Sequence, residues 1–563
     1  MSGPVHFDRS DALDRLGEGE FDVLVVGGGV TGAGVALDAA SRGLRTALVE
    51  RDDFASGTSS KSSKLVHGGL RYLQQGDIRL VYQALRERQI LRHNAPHLVK
   101  ILPFLIPIFS KDGLINRKLA RAMGSAMWLY DLTGGARIGK LHRRLRTEQA
   151  LAHMPTLPAD RLVSAYLYYD AQADDARLTL ALARTAAVEH GAVVLNRARV
   201  STLRKDAVGR LCGATVEVDG DTVEIDATVV VNATGVWSDD IRTLAEGRDP
   251  DTIRPAKGIH ITVPWEKIRN DIAVVIPVPK DKRSVFVVPW EGTTYIGTTD
   301  TDYDGPIDDP QCTEEDIDYL LRAINFSVTT EITRDDILAT WAGLRPLVKA
   351  AESERTADLS RMHKVQRTEG GLVNITGGKL TTYRRMAADT VDALIETFGP
   401  DVTSRIHRRS RTRTMPLRGA EGYTAALELT SGIITPEQVR HLANRYGGET
   451  RGLLAMVEQD PSLAGPLVPG LPYLRAEAVW AVRYEMATTL DDVLARRTRA
   501  RLLARDTTGE VAADVAALIA PELGWDEART AAEVAHYRDD LDHERTAAGL
   551  PHTSIDALLA AAS

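Results

Sequence analysis

Three glycines near the N-terminus have the spacing of a turn that binds a dinucleotide. Residues 21–34 read FDVLVVGGGVTGAG, so Gly27, Gly29 and Gly32 lie between an apolar run and a helical pattern. Glycine there permits a tight turn, a close approach to a pyrophosphate and close packing of the next helix. Glu50 ends the next apolar run, where a carboxylate can bind ribose hydroxyls. The pattern predicts a βαβ unit for NAD or FAD.

Three further segments combine a polar turn with a strand or a helix. They are TSSKSSKLVHGGLRY at 58–72, VVVNATGVWSDD at 229–240 and LVNITGGKLTTYRRMA at 372–387. The first is too polar for a core, the second is a strand that returns to the sheet, and the third offers a second helix N-terminus. We expect these segments to close the flavin end of a site, which favours FAD.

These motifs carry a resemblance to a known family. The chain resembles the membrane-associated, FAD-dependent glycerol-3-phosphate dehydrogenases of bacteria and mitochondria. The resemblance covers about 20–395 through VVGGGVTGAG, SSKLVHGGLRYL, VVNATGVW, KGIHITV, VFVVPW, YIGTTDTDY, GLRPL and GGKLTTYR, and continues more weakly over about 410–505. It implies FAD as cofactor, glycerol 3-phosphate as substrate and membrane quinone as electron acceptor. A related oxidase that uses oxygen and, with less support, a flavin amino-acid oxidase are the alternatives.

The resemblance also implies roles for individual residues. The expected substrate-binding residues are Arg71, Tyr72, Arg345, Arg361 and Lys379, and the expected catalytic residues are His260 and Arg345. The expected cofactor-binding residues are Gly27, Gly28, Gly29, Thr31, Gly32, Glu50, Arg51, Thr58, Ser59, Ser60, Ser63, Lys64, Leu65, His67, Gly68, Ala233, Thr234, Gly235, Gly378, Lys379, Leu380 and Thr381.

His260 is a candidate base on a predicted strand. In KGIHITV the apolar Ile259, Ile261 and Val263 share one face, so His260 and Thr262 share the other, which we expect to face a cavity. With an ordinary pKa of about 6.5, His260 could accept the proton of the substrate C2 hydroxyl. A hydrogen-bonded structural histidine is the alternative.

Length and composition predict the architecture around these motifs. The 563 residues suggest about three or four folding units, and a net charge of −8 argues against a nucleic-acid binder with a basic surface. Two cysteines and no metal motif argue against a metal site. We predict an α/β fold, with a Rossmann-like FAD-binding domain, an inserted β-rich substrate domain and an all-α C-terminal domain. The expected bounds are 18–75, 165–255 and 340–400 for the first, 76–164 and 256–339 for the second, and 401–563 for the third.

Residues 111–131, KDGLINRKLARAMGSAMWLYD, predict an amphipathic helix. Apolar residues recur at helical spacing beside several cations, a pattern typical of helices that lie on an anionic membrane surface. The apolar residues are Ile115, Leu119, Met123, Met127 and Tyr130, and the cations are Lys111, Arg117, Lys118 and Arg121. An ordinary amphipathic helix packed on its own protein is the alternative. The resemblance favours the membrane, and it implies a cytoplasmic protein that is peripherally bound to the inner face of the cell membrane, with a homodimer as one option for its oligomeric state.

Overall fold

The computed structural model describes residues 7–69, 78–110, 124–125, 127–132, 134, 138–279, 281, 283–349 and 362–553. The predicted substrate-binding residues Arg71, Tyr72 and Arg361 lie outside the described residues, as does most of the predicted amphipathic helix.

The strands of the described residues form two sheets, one of eight strands and one of ten. In chain order they are β1 (Glu20–Val26), β2 (Thr46–Val49), β3 (Leu65–Val66), β4 (Val99–Phe109), β5 (Arg143–Leu145), β6 (Leu162–Ala173), β7 (Val193–Leu195), β8 (Ala198–Lys205), β9 (Leu211–Val218), β10 (Asp221–Asn232), β11 (Ile253–Pro264), β12 (Ala273–Pro277), β13 (Ser284–Trp290), β14 (Thr293–Gly297), β15 (Thr301–Asp302), β16 (Ala339–Val348), β17 (Lys364–Arg367) and β18 (Val373–Thr376).

Helices account for most of the remaining regular structure. The α-helices are Arg9–Glu18, Val30–Ser41, Ile78–Asn94, Thr147–His153, Asp175–Val188, Ser238–Glu246, Trp265–Ile268, Glu314–Ser327, Tyr383–Ile395, Pro400–Thr403, Tyr423–Ala426, Pro436–Tyr446, Thr450–Gln459, Arg475–Glu485, Ala500–Leu503, Arg505–Glu510, Ala512–Leu523 and Glu527–Ala547. A π-helical segment covers Asp492–Arg497.

The first sheet has the order β17-β18-β10-β1-β2-β7, and β9 and β8 extend it from β10. Its centre is parallel, since β1 pairs in parallel with both β10 and β2. Every β1 residue after Glu20 is buried, as expected for a strand covered on both faces. The helix Val30–Ser41, rich in small residues, packs against the helices Asp175–Val188 and Tyr383–Ile395. This sheet is the predicted Rossmann-like unit.

The second sheet has the order β15-β11-β14-β13-β12-β4-β6-β3, with β16 paired to β11 and β5 to β6. One face packs on the helix Glu314–Ser327 through the apolar residues of β11, Ile259, Ile261 and Val263. Aromatic residues of the sheet, among them Trp290 and Trp341, cluster with apolar residues of the C-terminal helices. The two sheets and the helical C-terminal region confirm the predicted fold class.

Sheet membership differs from the predicted domain bounds at three strands. We assigned residues 65–66, 165–173 and 340–348 to the FAD-binding part. These residues form β3, most of β6 and most of β16, and all three strands belong to the second sheet. The physical reason is clearest for β16, which pairs with β11 along its whole length, from Ile253 with Val348 to Thr262 with Ala339. The division into domains remains a prediction.

At the described end of the predicted amphipathic helix, two of the apolar residues that we expected to face a membrane lie inside the protein. Met127 and Tyr130 are buried in the apolar cluster of the second sheet, and the Tyr130 hydroxyl donates to Asp170 Oδ2 at 2.6 Å. The exposed apolar residues of this helical segment are instead Trp128, Leu129 and Leu132. Separately, no helix among the described residues is both long and apolar enough to cross a membrane.

Candidate active site

The carboxyl ends of three parallel strands meet at one edge of the first sheet. Val26 of β1 is in register with Asn232 of β10, which is in register with Asn374 of β18. Asn232 Nδ2 donates to Asn374 Oδ1 at 2.9 Å and links two of these strand ends. The turns after β1, β10 and β18 therefore lie side by side, where ligands bind in open α/β sheets. They are the glycine-rich segments that the sequence marks out.

The first of these turns has no room for side chains. Gly27 has φ +109°, and a Cβ there would lie 2.8 Å from the Ala233 carbonyl oxygen. A Cβ on Gly32 would lie 1.8 Å from the Gly27 carbonyl oxygen. The helix that begins at Val30 thus starts directly against the turn, and its positive N-terminal end points toward this edge.

The three turns surround a cavity of about 590 Å³. That volume is in the range of small-molecule and cofactor sites. The predicted cofactor-binding residues that line it are Gly27, Gly29, Thr31, Glu50, Arg51, Thr58, Ser59, Ala233, Thr234, Gly235, Gly378, Lys379 and Leu380. Gly28 and Gly32 belong to the same segment but do not line the cavity, and Thr381 does not line it either.

Glu50 lies at one end of this cavity. Its Oε2 accepts from the Gly28 N–H at 2.6 Å and its Oε1 from the Asp52 N–H at 2.9 Å, so backbone donors fix the carboxylate. Burial nevertheless raises the pKa of Glu50 to about 7, and the negative charges of Asp52 and Asp53 add to this effect. Carboxylate oxygens at this position can accept hydrogen bonds from ribose hydroxyls.

Lys379 and the turn around it form the other part of the lining. Gly377 and Gly378 have φ +73° and +85°, so the chain turns sharply after β18. The helix Tyr383–Ile395 follows, as the sequence predicts. Thr381 Oγ1 lies 3.2 Å from the backbone N–H of His67 and accepts from it. This hydrogen bond connects His67 to the segment that follows the GGK turn. Neither His67 nor its neighbour Gly68 lines the cavity.

Lys64 lies in a buried ionic cluster, outside the cavity lining where we expected it. Its Nζ lies 3.2 Å from Asp175 Oδ1 and 4.8 Å from the Trp341 ring centroid. Burial lowers the pKa of Lys64 to about 8, and the positive charge of Arg499 acts in the same direction. Ser60, Ser63 and Leu65 likewise lie outside the lining. Lys64 Nζ also donates to the Ser60 carbonyl oxygen at 3.1 Å, so it contacts its own loop. None of the four residues forms part of the cavity wall.

His260 faces an aromatic wall rather than an open cavity. Its ring stacks on Trp341 at 4.7 Å, and its Nε2 lies 2.9 Å from Ser63 Oγ. Thr262, on the same face, donates to the Leu502 carbonyl oxygen at 2.8 Å. Burial, with the nearby charges of Lys64 and Arg345, lowers the pKa of His260 well below its ordinary value. His260 is therefore neutral at physiological pH. We expected an ordinary pKa of about 6.5, because the sequence could not show the burial of the ring.

Arg345 is held in a fixed orientation beside this wall. Its Nη1 lies 3.1 Å from Asp300 Oδ1, and its Nη2 donates to Thr298 Oγ1 and to the Thr299 carbonyl oxygen, both at 3.0 Å. Its neighbour Pro346 lines the cavity. Arg345 itself does not line the cavity; its guanidinium lies against Gly258 of β11, and its positive charge is close enough to His260 to affect the titration of the imidazole.

Several lining residues were missed by sequence reasoning. Trp237 lies two residues after the NATG turn and Gly57 directly precedes Thr58, so proximity to the motifs was an available signal. Gly57 lies against the Trp237 ring, which a Cβ would approach to 2.9 Å. Ser201 and Glu217 come from β8 and β9, which carry no motif. Only the pairing of those strands brings them to the cavity.

The lining fits an adenine dinucleotide with a flavin. Glycines leave the backbone open to a pyrophosphate beside a helix N-terminus, and Glu50 offers acceptors for ribose hydroxyls. Lys379 and the N-terminus of a second helix supply positive charge at the GGK turn. The cofactor-binding and substrate-binding roles of the individual residues remain predictions.

Two family models and several known proteins are similar to this chain. A model described as FAD dependent oxidoreductase matches residues 22–383, and one described as the C-terminal domain of alpha-glycerophosphate oxidase matches residues 410–530. Glycerol-3-phosphate dehydrogenase 2 of Mycobacterium tuberculosis is 42% identical over 98% of this chain and 94% of its own. The X-ray structure of glycerol-3-phosphate dehydrogenase from Bacillus halodurans, complexed with FAD, is 31% identical, with a TM-score of 0.74 over 96% of this chain and 97% of its own.

A more distant solved structure shares the fold alone. L-alpha-glycerophosphate oxidase from Mycoplasma pneumoniae, with FAD bound, is 18% identical and has a TM-score of 0.55 over 70% of this chain and 98% of its own.

The raised pKa of Glu50 predicts how pH changes the stability of the FAD-free protein. The folded state keeps a proton on Glu50 that the unfolded state loses near pH 4.5, so stability falls as pH rises from about 4.5 to 7. Glu50→Gln should remove about 2–3 kcal/mol of that fall, measured as urea unfolding midpoints at several pH values. Glu217→Gln, an exposed carboxylate at the same cavity, is the control and should behave as wild type. Parallel pH profiles for wild type and Glu50→Gln would contradict the assignment.

Proposed function

The chain belongs to the family of FAD-dependent glycerol-3-phosphate dehydrogenases, and on this premise we propose that it oxidises sn-glycerol 3-phosphate to dihydroxyacetone phosphate and passes the electrons to membrane quinone. Family membership confirms the predicted cofactor, FAD. The observation that carries the proposed substrate is the guanidinium of Arg345, which three hydrogen bonds hold near His260.

The residues of the first cavity would hold the cofactor. Gly27 and Gly29 would face the pyrophosphate, Glu50 the ribose, and Lys379 the flavin end. When bound, FAD supplies the two-electron acceptor for the substrate C2–H. The protein contributes the orientation of the substrate and the charges around it.

Arg345 would bind the phosphate group of the substrate. A phosphate that enters a partly buried site needs a nearby cation, and a guanidinium keeps its positive charge throughout the physiological pH range. Asp300 and Thr298 hold the Arg345 side chain before the substrate arrives, so little ordering is needed on binding. Lys379 supports the same anion from the GGK turn.

Arg345→Met should separate phosphate recognition from the rest of the reaction. Loss of the guanidinium should lower kcat/KM for glycerol 3-phosphate by about 30-fold to several-thousand-fold, equivalent to roughly 2–5 kcal/mol. Slow oxidation of glycerol, which lacks the phosphate, should hardly change. The measurement is dye-coupled oxidation of both substrates. Arg254→Met, which removes an arginine paired with Asp302 on the neighbouring strand, is the matched control. An equal loss for both substrates would rule out phosphate recognition.

His260 would accept the proton of the C2 hydroxyl. Its low pKa keeps the imidazole neutral and able to accept a proton across the physiological range, although it also makes His260 a weaker base. Ser63, hydrogen-bonded to Nε2, orients the ring, and Trp341 holds its plane.

His260→Asn should slow anaerobic bleaching of the flavin by glycerol 3-phosphate by about 10²- to 10⁴-fold. Because the pKa of His260 lies well below its ordinary value, the wild-type rate of bleaching should show no loss between pH 8 and 6 that depends on His260. Stopped-flow absorbance measures both. The control is His153→Asn, at a surface histidine paired with Asp271. Bleaching at full speed in His260→Asn would make His260 a structural residue.

Exposed apolar residues support peripheral membrane binding. Trp128 and Leu132 are 53% and 79% exposed in one helical segment, and Leu141 lies exposed nearby in the chain. A tryptophan beside leucines is typical of segments that enter the interfacial region of a bilayer. Membrane contact would bring the reduced enzyme to quinone, whereas an oxidase would pass electrons to oxygen.

Leu132→Ser combined with Trp128→Ser should reduce sedimentation with anionic vesicles and lower ubiquinone-coupled turnover, because apolar area is lost from the bound surface. Dye-coupled turnover of soluble substrate should stay unchanged. Val208→Ser is the matched control, since Val208 is 78% exposed in another part of the chain. Unchanged vesicle binding would contradict the surface, and reoxidation that is faster with air than with quinone would favour the oxidase.

A further inference from the structure

A second cavity lies between the second sheet and the C-terminal helices. Its volume is about 660 Å³, and it shares no lining residue with the first cavity. Lys100 of β4, the neighbouring His97, the β13–β14 turn around Glu291 and the helix Pro436–Tyr446 contribute to its wall. None of the proposed chemistry uses this cavity.

Lys100 brings a positive charge to the cavity without a carboxylate partner among the described residues. Its Nζ donates to the Pro96 carbonyl oxygen at 3.0 Å and to the Tyr423 hydroxyl, and lies 4.2 Å from the Tyr423 ring centroid. These neutral partners orient the ammonium but do not balance its charge. Burial accordingly lowers the pKa of Lys100 to about 8. An anion in the cavity would offset this cost.

His97 adds a buried nitrogen that has no hydrogen-bond partner in the described part of the chain. The ring is only 2% exposed, and the atom is Nδ1. Burial and the charges of Arg177 and Lys100 lower the pKa of His97 to about 3, so the ring is neutral, and it bonds to the backbone of Arg418. A neutral imidazole that donates through one nitrogen accepts through the other. Nδ1 is therefore suited to a ligand hydroxyl.

The other cations of the wall are already balanced. Arg177 Nη1 lies 2.6 Å from Glu485, and Arg445 Nη1 lies 3.0 Å from Glu291. Two exposed acids, Glu266 and Asp271, also line the cavity and would repel a large polyanion. Asp174, a further acid of the wall, lies 3.4 Å from Arg445 Nη1. Among the lysines and arginines of the described wall, Lys100 alone therefore lacks a carboxylate partner, and the acids around it limit the ligand to a small anion.

We propose that this second cavity binds a small hydroxylated organic anion, whose phosphate or carboxylate group contacts Lys100 and whose hydroxyl donates to His97 Nδ1. Phosphate and carboxylate share the chemistry that Lys100 recognises. The site does not depend on the proposed oxidation reaction, since its two ligand-contacting residues, Lys100 and His97, lie outside the cofactor cavity and do not contact His260.

Calorimetry on the FAD-loaded Arg345→Met protein tests the proposal, because this background weakens anion binding at the proposed substrate site while FAD fills the first cavity. The probes are inorganic phosphate, glycolate and acetate. Phosphate or glycolate should bind at one site, and the additional change Lys100→Met should weaken that binding about tenfold or more. Lys100→Arg should keep it. Lys205→Met, at an exposed lysine bonded to the Ala245 carbonyl oxygen, is the matched control and should also keep it.

The outcomes separate the two ligand sources. Binding of phosphate alone supports a phosphorylated ligand, and binding of glycolate alone supports a hydroxy acid. Acetate should bind more weakly than glycolate, and equal affinity would overturn the contact with His97. Absence of binding by both phosphate and glycolate, or binding that Lys100→Met leaves unchanged, would overturn the site. Flavin absorbance and melting temperature establish that each variant is folded.

Discussion

The buried contact between Asp53 and two arginines of the π-helical segment is the interaction on which the rest of the structure depends. Asp53 is fully buried and lies 2.6 Å from both Arg496 Nε and Arg497 Nη1. Removing either side of such a pair leaves an unbalanced charge and costs about 3–5 kcal/mol. Because Asp53 lies three residues after Glu50, the loop that begins at the proposed ribose contact can be buried only together with the C-terminal helices. Arg499 adds a second tie through the Ser60 carbonyl oxygen at 2.6 Å.

Burial acts in opposite directions on the two titratable groups nearest the proposed chemistry. It raises the pKa of Glu50, an acid, and lowers the pKa of His260, a base, because in both cases the charged form is disfavoured. The surroundings differ as well: Asp52 and Asp53 add negative charge beside Glu50, while Lys64 and Arg345 add positive charge beside His260. The imidazole of His260 is thus kept neutral beside Arg345, the proposed binding residue for the substrate phosphate.

The C-terminal helical region contacts the second sheet as well as the loop that follows Glu50. The Leu502 carbonyl accepts from Thr262 of β11, the strand that carries His260. Trp290 connects this region to the second cavity, since it lines that cavity and its ring centroid lies 5.2 Å from Lys64 Nζ. The helical region therefore forms part of both the support of His260 and the wall of the second cavity.

Spacing along the chain was enough to predict the glycine turn, the helix after it and Glu50, because one βαβ unit places them by local geometry. The surroundings of His260, Lys64 and Tyr130 could not be read in this way. Their partners Ser63, Asp175 and Asp170 lie 197, 111 and 40 residues away in the chain. A strand pattern predicts which side chains share a face, but only tertiary packing decides what covers that face. The sequence alone determined the dinucleotide turn and the fold class, and the tertiary structure decided which polar residues reach the cavity and which charges are buried together.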